Sequence, residues 1–291
     1  MNGIIVINKD KNVTSRDVVN DICHIFNTKK VGHTGTLDPL ATGVLVIAIG
    51  DALKLVDHIT SLDKEYIAKV KLGVKTDTLD ITGTVLEERE INITNEDIDK
   101  VLSSFPHDYD MEVPLYSAVK VNGKKLYEYA RNNIPVDLPH HKVKIYSLER
   151  ITPIEDNSFY IKCHVSKGTY IRSLINDICK NLGTIGVMEE LNRTKQGKYL
   201  IEDSYTIEDI KNNNYKIISV LDSIDIPKVE IDNKELLKRV LNGNKLEDIY
   251  NYNEYIFTYH QDAIAIYKKD NSTVKPVKVF NSSIEKYKGI I

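Results

Sequence analysis

Long apolar runs are scarce in this sequence of 291 residues. The longest, Val44–Ile49 (VLVIAI), is the size of a strand and far short of the roughly 18 residues a membrane span needs, so no membrane partner is expected. Cysteine is sparse: Cys23, Cys163 and Cys179 are odd in number and form no CxxC pair. That argues against a disulfide framework or a zinc knuckle and fits a reducing cytoplasm. The N-terminal MNGIIVINKDK has a short apolar stretch and no cleavage-site pattern, so a secretory leader is not expected and cytoplasmic localisation is. Neither a nucleotide-binding loop nor a metal-ligand cluster stands out, and His140-His141 lacks a third ligand in register. No cofactor and no metal are therefore expected. Net charge is small, −3, and gives no reason by itself to propose a nucleic-acid partner.

The composition that is present, 42% apolar and 28% charged, is that of a globular chain. Its charges are sorted. Residues 76–110 carry ten acids against Arg89 and Lys100, whereas 161–200 carry seven bases against three acids and 111–150 seven against four. Such sorting can build one acidic and one basic face.

Alternation predicts strands at Ile4–Asn8, 64–72, 142–151 and 158–165, with Tyr66, Ala68, Val70 and Leu72 on one face. Helices are predicted at about 16–27, capped by Thr14 or Ser15, and near 52–60, 94–105, 124–131 and 169–182, the last ending at Gly183. A Gly-rich turn at 32–43 leads into Val44–Ile49. The pattern breaks near 222–230, and a small unit follows with a helix at about 233–242 and strands at 254–259, 263–268 and 274–280. The fold class is α+β, with several antiparallel pairings expected.

The densest chemical signal is KVGHTGTLDPLATGVLVIAIG, residues 30–50. Pro39 pushes Asp38 toward extended geometry, at a set place on a loop entering a buried strand. By itself an Asp-Pro pair is usually only a turn. KGTYIR (167–172) offers a tyrosine and an arginine two apart in basic surroundings that suit an acid partner.

GHTGTLDPLATG resembles the signature of the TruB family of tRNA pseudouridine synthases. KEYIAKVKLGVKTDTLDITG (64–83), PLYSAVKVNGKKLYEYAR (114–131), SKGTYIRSL (166–174) and LNRTKQG (191–197) resemble the family's other blocks, in the family's order. The resemblance is strong over about residues 1–200 and weak beyond. It implies a pseudouridine-synthase catalytic fold with a mixed, mainly antiparallel central sheet over residues 1–224. It also implies a thumb-like RNA-binding loop at about 120–145 and a small PUA-like unit over 225–291. Two positions depart from the family pattern: Asp10 follows Lys9 where a proline is usual, and Asn192 stands where an arginine is usual.

The activity implied is isomerisation of uridine-55 in the T-arm of tRNA, with the base flipped out, the N1–C1′ bond broken and the base rejoined through C5. Asp38 would be catalytic, acting as nucleophile or at the ribose, with Arg172 as its charged partner. Tyr66 would stack on the flipped base and accept the C5 proton directly or through water, while Tyr170 would hydrogen-bond near Asp38 and wall the pocket. The substrate-binding set is Lys9, supporting the first-strand loop, His33, contacting RNA, Asp80, organising the pocket from behind, Leu191, packing on the base, and Arg193. The partner implied is tRNA, with no obligate protein partner and a monomer expected. A rival reading, an RNA-folding helper without turnover, is disfavoured because Asp38, Tyr66, Tyr170 and Arg172 are all present.

Overall fold

A computed structural model describes residues 1–289, and the structural statements below concern those residues. The central sheet runs through β1 (Gly3–Lys9), β2 (Thr42–Ile49), β3 (Lys64–Leu72), β4 (Asp108–Glu112), β5 (His140–Arg150), β6 (Ser158–Val165) and β7 (Gly186–Gln196). Its spatial order is β1-β2-β7-β3-β6-β5-β4, and short strands Val31–His33 and Tyr199–Leu200 pair outside this path with β2 and β7. Every pairing along it is antiparallel except β2 with β7, where Thr42 and Gly43 lie parallel to Asn192 and Arg193. The sheet is mixed and mainly antiparallel, in an α+β chain.

β1 and β2 are buried on both faces, which is why VLVIAI reads as a continuous apolar run rather than an alternation. Ile5, Ile7, Leu45, Ile47 and Ile49 join the main core with helices α1 (Ser15–Ile25) and α2 (Ile171–Asn181). Ile4, Val6, Val44, Val46 and Ala48 face a second core shared with Ile224, Ile256, Ile266 and Phe280. That second core seats the C-terminal unit, a five-stranded sheet ordered Lys228–Glu230, Glu254–Tyr259, Asp262–Asp270, Thr273–Val279 and Leu246–Glu247, with helix Lys234–Leu241 against it. β3 alternates without exception, burying Lys64, Tyr66, Ala68, Val70 and Leu72.

Several elements differ from the sequence expectation. Residues 50–55 wind as a 3-10 turn before the short helix Val56–Thr60, in place of one helix at 52–60. The strand Val31–His33 overlaps the start of the expected Gly-rich turn. The thumb-like segment is less loop-like than expected: it holds a two-residue-strand hairpin, the helix Leu126–Arg131 and the start of β5, with Leu126, Val143 and Ile145 buried. β7, central to the sheet, has no counterpart in the sequence reading. Its residues GVMEELNRTKQ do not alternate cleanly, because register shifts between Met188 and Glu190 and between Arg193 and Lys195 change which side chains face the core.

Candidate active site

The loop that carries Asp38 runs from Thr34 to Ala41, between two strands, and is pinned from several sides. Thr14 caps α1 with a reciprocal Asp17 contact, which leaves Ser15 free. Its buried hydroxyl accepts from the Leu37 amide at 2.9 Å and lies 3.2 Å from the Leu37 carbonyl. Arg193 Nη2 donates to the Gly35 carbonyl at 3.1 Å, and its Nε to that of Val44 at 2.6 Å. Gln196 donates to the Thr34 carbonyl at 3.1 Å. The Pro39 carbonyl accepts from the Asn12 amide at 2.7 Å and from Lys9 Nζ at 3.4 Å. Asp38 is therefore presented on a braced backbone while its carboxylate stays partly open to solvent.

Arg172, the second residue of α2, meets that carboxylate. Its Nε lies 3.0 Å from Asp38 Oδ2, and its Nη2 donates to Oδ1 at 3.5 Å. The guanidinium is buried, and two further donors are used: Nη1 to the Thr78 carbonyl at 2.9 Å, Nη2 to the Tyr116 carbonyl at 3.0 Å. A planar fork held this way presents a fixed cation to a carboxylate. Asp80 Oδ2 lies 4.0 Å from Arg172 Nε, and its Oδ1 accepts from the Thr78 and Thr82 hydroxyls and the Thr82 amide.

Asp38, Tyr66, Tyr170, Arg172, Leu191 and Arg193 line one cleft of about 850 Å³. Tyr66 and Arg193 are register partners on β3 and β7, as are Ala68 and Leu191, which puts Tyr66, Leu191 and Arg193 on one face of the sheet. Burial raises the Tyr66 phenol above its usual range, with Arg193 opposing. The ring therefore stays neutral: it suits stacking and hydrogen bonding, and a phenolate base is disfavoured. Tyr170 is the residue just before α2, and burial raises its phenol as well.

Lys9, His33 and Asp80 do not line the cleft. Lys9 is 1% exposed, and its ammonium donates to the carbonyls of Asp10 at 2.8 Å and Val13 at 2.6 Å, so the turn that lacks its usual proline is held by a lysine. Burial lowers its pKa to about 8. The His33 Nδ1 accepts from the Gly35 amide at 3.3 Å, and burial lowers the imidazole pKa, so the neutral ring shapes the loop from behind. Arg193, expected among the substrate contacts, is itself 1% exposed and braces the loop through two carbonyls. Asn192 points to the other face of β7, where its Oδ1 is buried without a partner against Gly43.

Sequence reasoning did not single out Ser15 as a brace, Gln196, Lys64, Tyr116 or Ser117. Lys64 lines the cleft, donates to the Thr60 and Leu62 carbonyls, and has its pKa lowered by burial to about 8. Tyr116 and Ser117 stand in the PLYSAVK block, whose resemblance was visible although their contacts were not. Across the cleft, Tyr127 lies under Lys125 and Arg131, at 5.4 and 5.3 Å from its ring centre.

Comparison with known proteins places the chain in a family. The model of the TruB family pseudouridylate synthase N-terminal domain matches residues 23–171, and that of the tRNA pseudouridylate synthase B C-terminal domain matches 172–242. The class is that of pseudouridylate synthases, which are isomerases. The chain is 39% identical to the tRNA pseudouridine synthase B of Staphylococcus aureus (strain MRSA252) over 307 residues, covering 96% of this chain and 99% of the relative. It is 40% identical to that of Mesoplasma florum over 275 residues, covering 94% and 95%. The chain belongs to the TruB family. Among solved structures, a chain of a Cbf5–Nop10–Gar1 complex superposes with a TM-score of 0.72 at 25% identity, covering 96% of this chain and 84% of that one. A chain of an H/ACA RNP bound to a substrate RNA containing 2'-deoxyuridine shares the fold, with a TM-score of 0.70 at 24% identity over 96% and 84%.

Proposed function

We propose that this protein converts uridine to pseudouridine at position 55 in the T-arm of tRNA. The observation that carries the reading is the Asp38 carboxylate, held by the buried Arg172 fork at the wall of a cleft that also presents Tyr66. The tRNA substrate rests on the names of the relatives, and position 55 on the family resemblance. The reaction is an intramolecular rearrangement: the N1–C1′ bond breaks, the uracil turns within the cleft, and a C5–C1′ bond forms while the C5 proton leaves for N1 or water. Every atom of the nucleotide is retained except that exchanging proton.

A stacked base cannot reach Asp38, so the nucleotide must leave its stack, at a cost of about a few kcal/mol. Tyr66 and Leu191 offer one aromatic and one aliphatic surface to receive it. Asp38 then acts as the ionised group, at the base or at the ribose, with Arg172 fixing its position and balancing its charge. The neutral Tyr66 phenol serves by stacking and by orienting water for the C5 proton. The thumb-like segment around Tyr127, with Lys125 and Arg131 beside it, grips the RNA arm. We place the work in the cytoplasm, by a monomer.

Asp38 is the only carboxylate in the signature loop. Asp38→Asn is expected to abolish tritium release from C5-labelled tRNA transcripts while leaving tRNA affinity within about tenfold, or roughly 1.4 kcal/mol. Turnover above about one per cent of wild type in that assay would overturn the assignment. Transcripts lacking uridine at position 55 are expected to release no tritium; equal release from them would refute the site.

A further inference from the structure

Arg172 is aimed by two carbonyls on separate loops. One is Thr78, in the turn between the short strands Val74–Thr76 and Val85–Glu88; the other is Tyr116, in the segment that follows β4. Backbone carbonyls on two loops hold a guanidinium in one orientation only if the loops keep their spacing. One side-chain hydrogen bond ties these two together: the Tyr116 hydroxyl donates to Asp77 Oδ2 at 3.1 Å. The other Asp77 oxygen accepts from the Thr84 amide at 2.8 Å, closing the turn on itself. The contacts therefore form a ring. Arg172 holds the carbonyls of Thr78 and Tyr116, and the residue beside Thr78 holds the Tyr116 side chain. Nothing else in that ring is covalently short: residues 77, 116 and 172 meet only through the fold.

We propose that the Tyr116–Asp77 hydrogen bond is a latch that sets the orientation of the Arg172 fork against Asp38, which makes Tyr116 and Asp77 positioning residues for the isomerisation. The inference rests on the reading of Asp38 and Arg172 as the catalytic pair. Without the latch the 116 peptide is free to drift from the turn at 77–84. Nη2 then follows its carbonyl, and the second contact to Asp38, already 3.5 Å, is the first to be lost. Small misplacements of this kind cost rate more than binding. Tyr116 also lines the cleft, so a plain RNA contact is the competing role, and Tyr116→Phe separates the two by keeping the ring.

The test uses the full chain with Tyr116→Phe, Asp77→Ala and the double variant. It measures single-turnover isomerisation, tRNA affinity and the side-chain Nε–H resonance of Arg172 in the free protein, assigned by its disappearance in Arg172→Lys. Each single variant is expected to lower the rate about tenfold with affinity within about twofold. The double variant is expected to be no slower than the slower single one, because both remove the same bond. The Arg172 Nε–H signal is expected to move and to exchange faster with water in both single variants. Losses that multiply in the double variant, a loss confined to affinity, or an unchanged Nε–H signal would each overturn the latch. If the wild-type chain isomerises no uridine, the functional reading falls instead, and the Nε–H signal alone decides the latch.

Discussion

Lys9 carries an ammonium group into a site only 1% exposed, where backbone carbonyls replace water. Carbonyl dipoles recover part of the lost hydration, and burial still lowers its pKa from 10.5 to about 8. Between those two values the unfolded chain holds a proton that the folded chain has released, so Lys9 makes stability rise with pH through this window. The cost of the buried charge is fully present below about pH 8. Lys9→Met removes this titration. The melting temperature of wild type minus that of Lys9→Met is therefore expected to grow as pH is raised from about 7.5 to 10. A difference that stays flat by calorimetry would show that Lys9 keeps its ordinary titration. At the same scale, Asp38 was legible because its loop matches a distinctive motif, and Arg172 because KGTYIR does. The work of Arg193 was not, since only packing tells whether a buried guanidinium meets substrate or backbone.

Elements place these residues by close approach. Gly43, the second residue of β2, has φ +99° and runs beside β7 where the two strands pair in parallel. A Cβ there would lie 2.2 Å from Asn192 Oδ1 and 2.3 Å from the Arg193 carbonyl oxygen, both within the neighbouring strand. Gly43→Ala therefore joins an unfavourable backbone angle to a steric clash with a central strand. It is expected to cost about 2–4 kcal/mol, seen as a melting temperature lower by several degrees, and to reduce turnover by displacing the Arg193 brace under Gly35. A variant as stable and active as wild type would contradict the close-approach argument. The glycines of the signature announced tight turns, but which neighbour crowds Gly43 was invisible until β7 was in place. The C-terminal end of α2 is the opposite case. Gly183 at φ +71° with the Thr184 amide on the Cys179 carbonyl is a local motif, readable from the sequence that forms it.

At the scale of the whole molecule, the central sheet and the five-stranded C-terminal sheet are joined through an apolar seam. Phe280 is 1% exposed and packs with Ile4, Val6, Val44 and Val46 from the catalytic sheet and Ile256 and Ile266 from the C-terminal one. Polar contacts frame the seam: Asp51 accepts from the Ser282 amide at 2.7 Å and hydroxyl at 2.6 Å, and Lys54 donates to Asn281 at 2.9 Å. Phe280→Ala is expected to cost about 3–5 kcal/mol and to split a single calorimetric transition into two, the C-terminal unit melting first, while isomerisation persists below that step. Unchanged melting would show that the seam contributes little. The sequence by itself determined the α+β class, β1, β2, β3 and the capped helices, because their periodicity and caps act over a few residues. It also determined the family and singled out Asp38 as the candidate, because motif residues in order are a one-dimensional signal. Tertiary structure alone decided that β7 divides β2 from β3, that Lys9 and Arg193 are braces, that Arg172 is aimed from two loops, and that one face of β1 and β2 belongs to the C-terminal unit. Those depend on contacts between residues far apart in the chain, where register, burial and the direction of each side chain are set by the packing of all the elements together.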